Sequence, residues 1–182
     1  MGNQNTTLQC KGQTFEKWIS KEDIEKHITR VAEKMNEDYK DKNVLLVGVL
    51  NGAFMFLSDL SKKLKLEDCQ IEFAKVVSHK GAEKGTIKEL IGLKQSVKGR
   101  HVVIVDDVVH TGKTIRHIMN QLQQEEPLSI EISTLLWKKE AYEEDLSLKY
   151  VAMIVPNRFC IGYGLDIDDY ARPLEDIYGL VE

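Results

Sequence analysis

Apolar residues follow two spacings along this chain, and the changes between them mark out its elements. Ile24, Ile28, Val31, Ala32 and Met35 recur every three or four positions, which lines one face of an amphipathic helix. Ser20 followed by Asp23 has the form of a capping box with Asp in place of Glu, so the helix is expected to begin there. His27 lies beside the apolar stripe and reads as a packed or half-exposed imidazole. Val44–Leu50 is an unbroken apolar run of strand length, the pattern of a strand buried on both faces. Gly52 then precedes a helical pattern through Phe54, Leu57, Leu60 and Leu64. Further strands are predicted over 71–77, 102–105, 130–136 and 150–155, with a helix over 113–124. Alternation of this kind predicts an α/β fold with a mostly parallel sheet and right-handed crossovers. Residues 78–92, rich in Gly, Lys and Glu, read as a long mobile loop, and the polar residues 1–13 as a loosely ordered lead-in.

Composition narrows the function classes. A chain of 182 residues with 42% hydrophobic content supports one domain, 1–182, with a substantial core. The net charge of −4 and the scattering of lysines among acids supply no global basic field for nucleic acid. Apolar runs are strand-sized, well short of the ~20 residues a membrane helix requires. Cys10, Cys69 and Cys160 are odd in number and lack metal-ligand spacing, which suits a reducing, cytoplasmic compartment without disulfides.

The chemistry concentrates where the run 102–105 meets Asp106 and Asp107, followed closely by Thr111, Gly112, Lys113 and Thr114 at a helix start. In open α/β sheets such a strand end borders the ligand crevice. Hydroxyls, backbone N–H groups and the positive end of a helix suit a phosphate, while two carboxylates accept hydrogen bonds from sugar hydroxyls. Together they suit a ribose 5-phosphate. A nucleoside triphosphate P-loop is excluded, because that motif needs a glycine five positions before Gly112, where Asp107 stands.

This segment resembles the phosphoribosyl diphosphate (PRPP) signature of the type I phosphoribosyltransferases. The resemblance implies that Asp106 and Asp107 face the ribose hydroxyls, and that Val109, His110, Thr111, Gly112, Lys113 and Thr114 wrap the 5-phosphate. Leu50, Asn51 and Gly52 resemble the family's diphosphate loop, in which a cis peptide precedes the residue matching Asn51. Many members carry Lys there, and Asn51 leaves more of the diphosphate charge to Mg²⁺ and backbone dipoles. By its residues alone this stretch is equally a plain strand-to-helix turn.

The stretch 157–166, followed by Tyr170 and Arg172, is similar to the hood of the hypoxanthine-guanine branch of that family. The similarity implies that Phe159 stacks on a purine, that the backbone at Cys160 meets the base edge, and that Arg158 and Arg172 lie near diphosphate or base. It assigns Asp166 to the metal through water, beside Asp106 and Asp107. Lys138, on the same ground, donates to the exocyclic oxygen of a 6-oxopurine, although Lys138-Lys139-Glu140 is also readable as a solvated charge run. The resemblance makes 78–92 a lid beginning at Ser78 and His79, with imidazole in place of the usual phenol, and 156–182 the main part of the hood.

His110 is the larger departure, since most 6-oxopurine members have Asp there as acceptor of the N7 proton. Neutral imidazole, with a reference pKa of about 6.5, is suited to the same task. The resemblance therefore implies transfer of phosphoribose from PRPP to hypoxanthine or guanine with Mg²⁺, in a homodimer or homotetramer. Two rivals remain open at this point: a uracil phosphoribosyltransferase-like protein, and a PRPP-sensing regulator that binds nucleic acid.

Overall fold

The computed structural model describes residues 6–78, 87–91 and 93–181. A six-stranded sheet in the order β5-β4-β3-β6-β7-β8 forms its platform, built from β3 (Val44–Leu50), β4 (Cys69–Ser78), β5 (Ile87–Ile91), β6 (His101–Val109), β7 (Ser129–Trp137) and β8 (Tyr150–Ile154). Strands β4, β3, β6, β7 and β8 run parallel, and β5 adds antiparallel to β4. Helices α1 (Lys21–Asp38) and α2 (Phe54–Lys63) pack on one face against Val44, Leu46, Val103 and Val105. Helix α3 (Lys113–Gln123) covers the other over Leu45, Val47, Ile104 and Ile132. Both faces of β3 and β6 are dry, which explains their unbroken apolar runs. Each aliphatic side chain so buried contributes about 1.5–3 kcal/mol by transfer from water, so the strands under the acids are firmly set.

Helix α1 follows its expected pattern closely. The Asp23 amide donates to Ser20 Oγ at 3.1 Å, the hydroxyl donates back to Asp23 Oδ2 at 3.0 Å, and the five stripe residues are buried. In α2, Leu57 and Leu60 are buried as expected, but Phe56 turns inward while Phe54 is exposed.

Three expectations change. The lead-in is not loose over its second half: β1 (Thr7–Cys10) pairs antiparallel with β2 (Gln13–Ile19). The turn residues Lys11 and Gly12 both have positive φ, 51° and 75°, the two-residue turn whose twist matches a hairpin. Within the stretch expected to be loop, residues 87–91 form β5, while His79 and most of the expected lid lie outside the described residues. Strand β6 does not stop at Val105 but continues through both acids to Val109, because β7 extends far enough to pair with it.

A second, antiparallel sheet in the order β1-β2-β10-β9 joins the hairpin to β9 (Cys160–Ile161) and β10 (Ile177–Leu180). The hood is therefore built from both the N-terminal hairpin and the C-terminal region. Among the described residues, no helix is long and apolar enough to cross a membrane, and Cys10, Cys69 and Cys160 are free thiols.

Candidate active site

Strands β3 and β6 lie side by side, paired from Val44/His101 to Gly48/Val105. Beyond that pair their chains diverge: β3 leads through α2 to β4 on one side, and β6 leads through α3 to β7 on the other. This is the topological switch point of an open α/β sheet, where a crevice opens between the carboxyl ends of diverging strands. Pairing of β6 with β7 persists to Val109/Trp137, so Asp106 and Asp107 reach past the last β3 contact on a supported ribbon.

Asp106 is 7% exposed and the Asp107 amide donates to its Oδ1 at 3.1 Å. Burial pushes the Asp106 carboxyl well above the usual carboxylate range, and the adjacent Asp107 charge pushes it further. Burial also raises Asp107, partly offset by its hydrogen bonds with Asp106 and the backbone and by the positive charge of Arg172. Two neighbouring carboxyls that resist ionisation together gain most from a ligand bringing hydroxyl donors or positive charge.

Helix α3 starts at Gly112, with φ of 88° and no side-chain cap. The Lys113 amide makes only a long 3.5 Å contact to Thr111 Oγ1, so the first-turn amides of the helix remain available as donors to an anion. An acidic strap that the sequence reading missed crosses this loop. Tyr142 packs on Gly112, the Glu143 amide donates to the Thr111 carbonyl at 3.1 Å, and Glu143 pairs with Lys113 at 2.7 Å. Arg116, one turn into α3, pairs with Glu144 at 2.8 Å and with Asp145. The acids at 143–145 opposite Lys113 and Arg116 were the available signal.

The third wall is the loop after β3. The Leu50–Asn51 peptide is cis, and Asn51 is exposed. Gly52 lies so close to β6 that a Cβ there would overlap the Asp107 carboxylate. From the hood, Gly164 presses on the Gly52 carbonyl with equal closeness. Loop, acid and hood therefore meet at one point.

The remaining candidates are placed unevenly. Phe159 is 44% exposed, and its ring centroid lies 6.2 Å from that of Phe15 in β2. Cys160 is buried, its thiol pushed up to about 11 by burial, with Lys138 opposing and Asp107 reinforcing the shift, so all three share one neighbourhood. The Lys138 amide donates to the Val109 carbonyl at 2.9 Å, which holds it beside His110, itself exposed. Ser78 closes β4. Arg172 binds the Gly164 carbonyl at 2.9 Å, Asp166 at 2.9 Å and Asp169 at 2.8 Å. Asp166 also accepts from the Asp169 amide at 2.7 Å. Arg158 turns into the small sheet, held by Glu16 at 2.7 Å and by the Leu180 carbonyl.

A phosphoribosyl transferase domain matches residues 19–168. The hypoxanthine-guanine phosphoribosyltransferase of Dictyostelium discoideum is 35% identical over 162 residues, spanning 86% of this chain and 89% of its own. The hypoxanthine-guanine-xanthine phosphoribosyltransferase of Tritrichomonas foetus is 37% identical over 161 residues, 85% of each chain. The chain belongs to the hypoxanthine-guanine phosphoribosyltransferase family. In three dimensions, the hypoxanthine phosphoribosyltransferase of Staphylococcus aureus superposes with a TM-score of 0.83 at 34% identity over 91% of each chain.

Two of the clefts formed by the described residues lie well outside the switch point. One, of about 520 Å³, sits between α1, α2 and the hood at Lys21, Ile28, Met55 and Tyr163; the other, of about 610 Å³, is lined by Trp18, His27, Arg30, Met153 and Pro156. Neither reaches the acids, and it is the convergence of charge, backbone donors and hood that marks the crevice instead.

Proposed function

We propose that this protein transfers the 5-phosphoribosyl group of PRPP to N9 of a 6-oxopurine, hypoxanthine or guanine, releasing diphosphate and forming IMP or GMP in purine salvage. The observation that carries this reading is the meeting of Gly52, Asp107 and Gly164, which sets a diphosphate loop, a ribose-binding acid and a base-binding hood around one crevice.

Asp106 and Asp107 accept hydrogen bonds from the ribose 2′ and 3′ hydroxyls, which satisfies carboxyls otherwise costly to bury. The amides of α3 and the hydroxyls of Thr111 and Thr114 hold the 5-phosphate, and the backbone at Leu50, Asn51 and Gly52 receives the diphosphate. Phe159 offers an open ring face to the purine, and the Lys138 ammonium, a donor only, favours a 6-oxo over a 6-amino group. The bond from C1 to the diphosphate oxygen breaks as the bond to N9 forms, and His110 accepts the proton released at N7. Residues 78–92, including Ser78 and His79, act as the lid that keeps water from the cation-like ribosyl centre.

The donor set fits Mg²⁺. No cluster of three or more His, Cys, Asp or Glu that could hold a metal is present among the described residues. Mg²⁺ accepts one or two carboxylates completed by substrate oxygens and water, so the paired Asp106 and Asp107 would supply the protein share, with Asp166 as a further acid of the hood. When bound, the ion neutralises charge on PRPP and its leaving group.

Incubation with PRPP, Mg²⁺ and each nucleobase in turn, followed by ultraviolet absorbance, tests the reading. Turnover of hypoxanthine or guanine, lost on chelation, is expected; turnover of uracil alone, or of no base, contradicts it. The protein works as a homodimer or homotetramer in the cytoplasm. Phe54, Ile71 and Phe73 support the assembly: all three are exposed on the α2 face, where Phe73 adjoins Gly48 and Leu57. Light scattering after gel filtration should give a dimer or larger, and Phe73→Glu should shift it toward monomer.

A further inference from the structure

Tyr163 is a buried aromatic residue in left-handed backbone, φ 51°, inside the hood loop. Its hydroxyl donates to Asp59 Oδ2 of α2 at 2.5 Å. Burial alone would raise the Asp59 carboxyl, but Lys62 and this hydroxyl hold it below its ordinary value. Tyr163 is thus anchored to an ionised acceptor, the stronger kind of hydrogen bond. The anchored position is one residue from Gly164, which abuts the Gly52 carbonyl, and α2 itself begins two residues after Gly52. Backbone bonds hold the loop between them: the Tyr163 amide donates to Leu174 O at 2.8 Å and the Gly164 amide to Arg172 O at 2.9 Å.

We infer that Tyr163 and Asp59 are positioning residues that clamp the hood to the first turns of α2, and so set the spacing between the purine platform and the diphosphate loop. Neither residue touches substrate. Their action runs through Gly164 and Gly52, the contact at which the two substrate-binding walls meet. A purine held on the hood and a ribosyl centre held on β6 must come within reacting distance, and an ångström of play at this junction is enough to misalign them.

The inference rests on the phosphoribosyl-transfer reading, and the experiment separates the two. Tyr163→Phe keeps the ring and removes the hydroxyl. It should lower kcat roughly ten- to a hundredfold, the scale of a small misplacement, and raise KM for hypoxanthine, while the dissociation constant for PRPP alone stays within about twofold. Asp59→Ala should match it, Asp59→Asn, which retains an acceptor oxygen, should recover most of the rate, and the Tyr163→Phe/Asp59→Ala double variant should be no worse than either single one. A fall in melting temperature with kcat and KM unchanged, or multiplying losses in the double variant, overturns the clamp. Hydrogen exchange gives a readout that needs no turnover: amides at 50–57 and 162–166 should exchange faster together in Tyr163→Phe, and unchanged exchange counts against the proposal. An inactive wild type with coupled exchange would reject the transfer reading while supporting the clamp.

Discussion

Replacing His110 by alanine is expected to lower kcat by about two to three orders of magnitude, the usual contribution of a positioned general base, while leaving PRPP binding nearly intact. His110 directly follows Val109, whose carbonyl accepts from the Lys138 amide, so its backbone adjoins the residue assigned to the purine oxygen. It is exposed, free to meet a base entering from the hood. His110→Asp should restore turnover, since a carboxylate is also able to accept the N7 proton. Rapid-quench measurement of the chemical step in both variants checks both statements. If the alanine variant keeps the rate of the wild type, the imidazole is not the base.

Asp106→Asn should abolish most turnover and yet make the ligand-free protein more stable. The two effects have one origin. The folded state raises the Asp106 carboxyl above its unfolded value, so between those two values the folded chain binds the extra proton. Stability from this group is therefore present in acid and is lost as pH rises from the ordinary carboxylate range through the raised folded value. At pH 7.5 the amide variant escapes that loss, and a gain of about 1 kcal/mol would appear as roughly 2–4 °C in melting temperature for a chain of this size. Loss of an ionic acceptor for the ribose hydroxyls should cost about a hundredfold or more in kcat/KM for PRPP. Scanning calorimetry at pH 5 and 7.5 supplies the check: the difference in melting temperature should shrink at the lower pH. A variant less stable at both would show that Asp106 is not held at a cost.

Parallel-sheet elements were legible in the sequence because burial on both faces leaves no polar interruption, as in Val44–Leu50. Asp106, Asp107 and the helix start at Gly112 stood out because they follow a buried apolar run in continuous sequence. Features made by distant segments were not. The N-terminal hairpin was hidden by polar side chains on a two-sided strand pair, although Lys11-Gly12 is a recognisable turn. The full length of β6 depended on how far β7 extends, and the outward turn of Phe54 on what covers α2. At the site, the strap from Tyr142 to Asp145 and the binding of Arg158 by Glu16 are tertiary pairings that motif spacing does not encode. In the same way, Asp166 is engaged by Arg172 and the Asp169 amide, partners that only the folded hood loop supplies.

The antiparallel sheet joins strands from opposite ends of the polypeptide: β2 lies beside β10, with Phe15 opposite Leu180. Residues of β2 therefore wait for those of β10, far along the chain, before the small sheet can close, whereas the strands of the large sheet pair over shorter connections. Closure over so long a loop is entropically slow. A partly folded molecule would thus hold its parallel platform before its antiparallel cap, and the cap would be the last part to assemble and the first to yield in local opening.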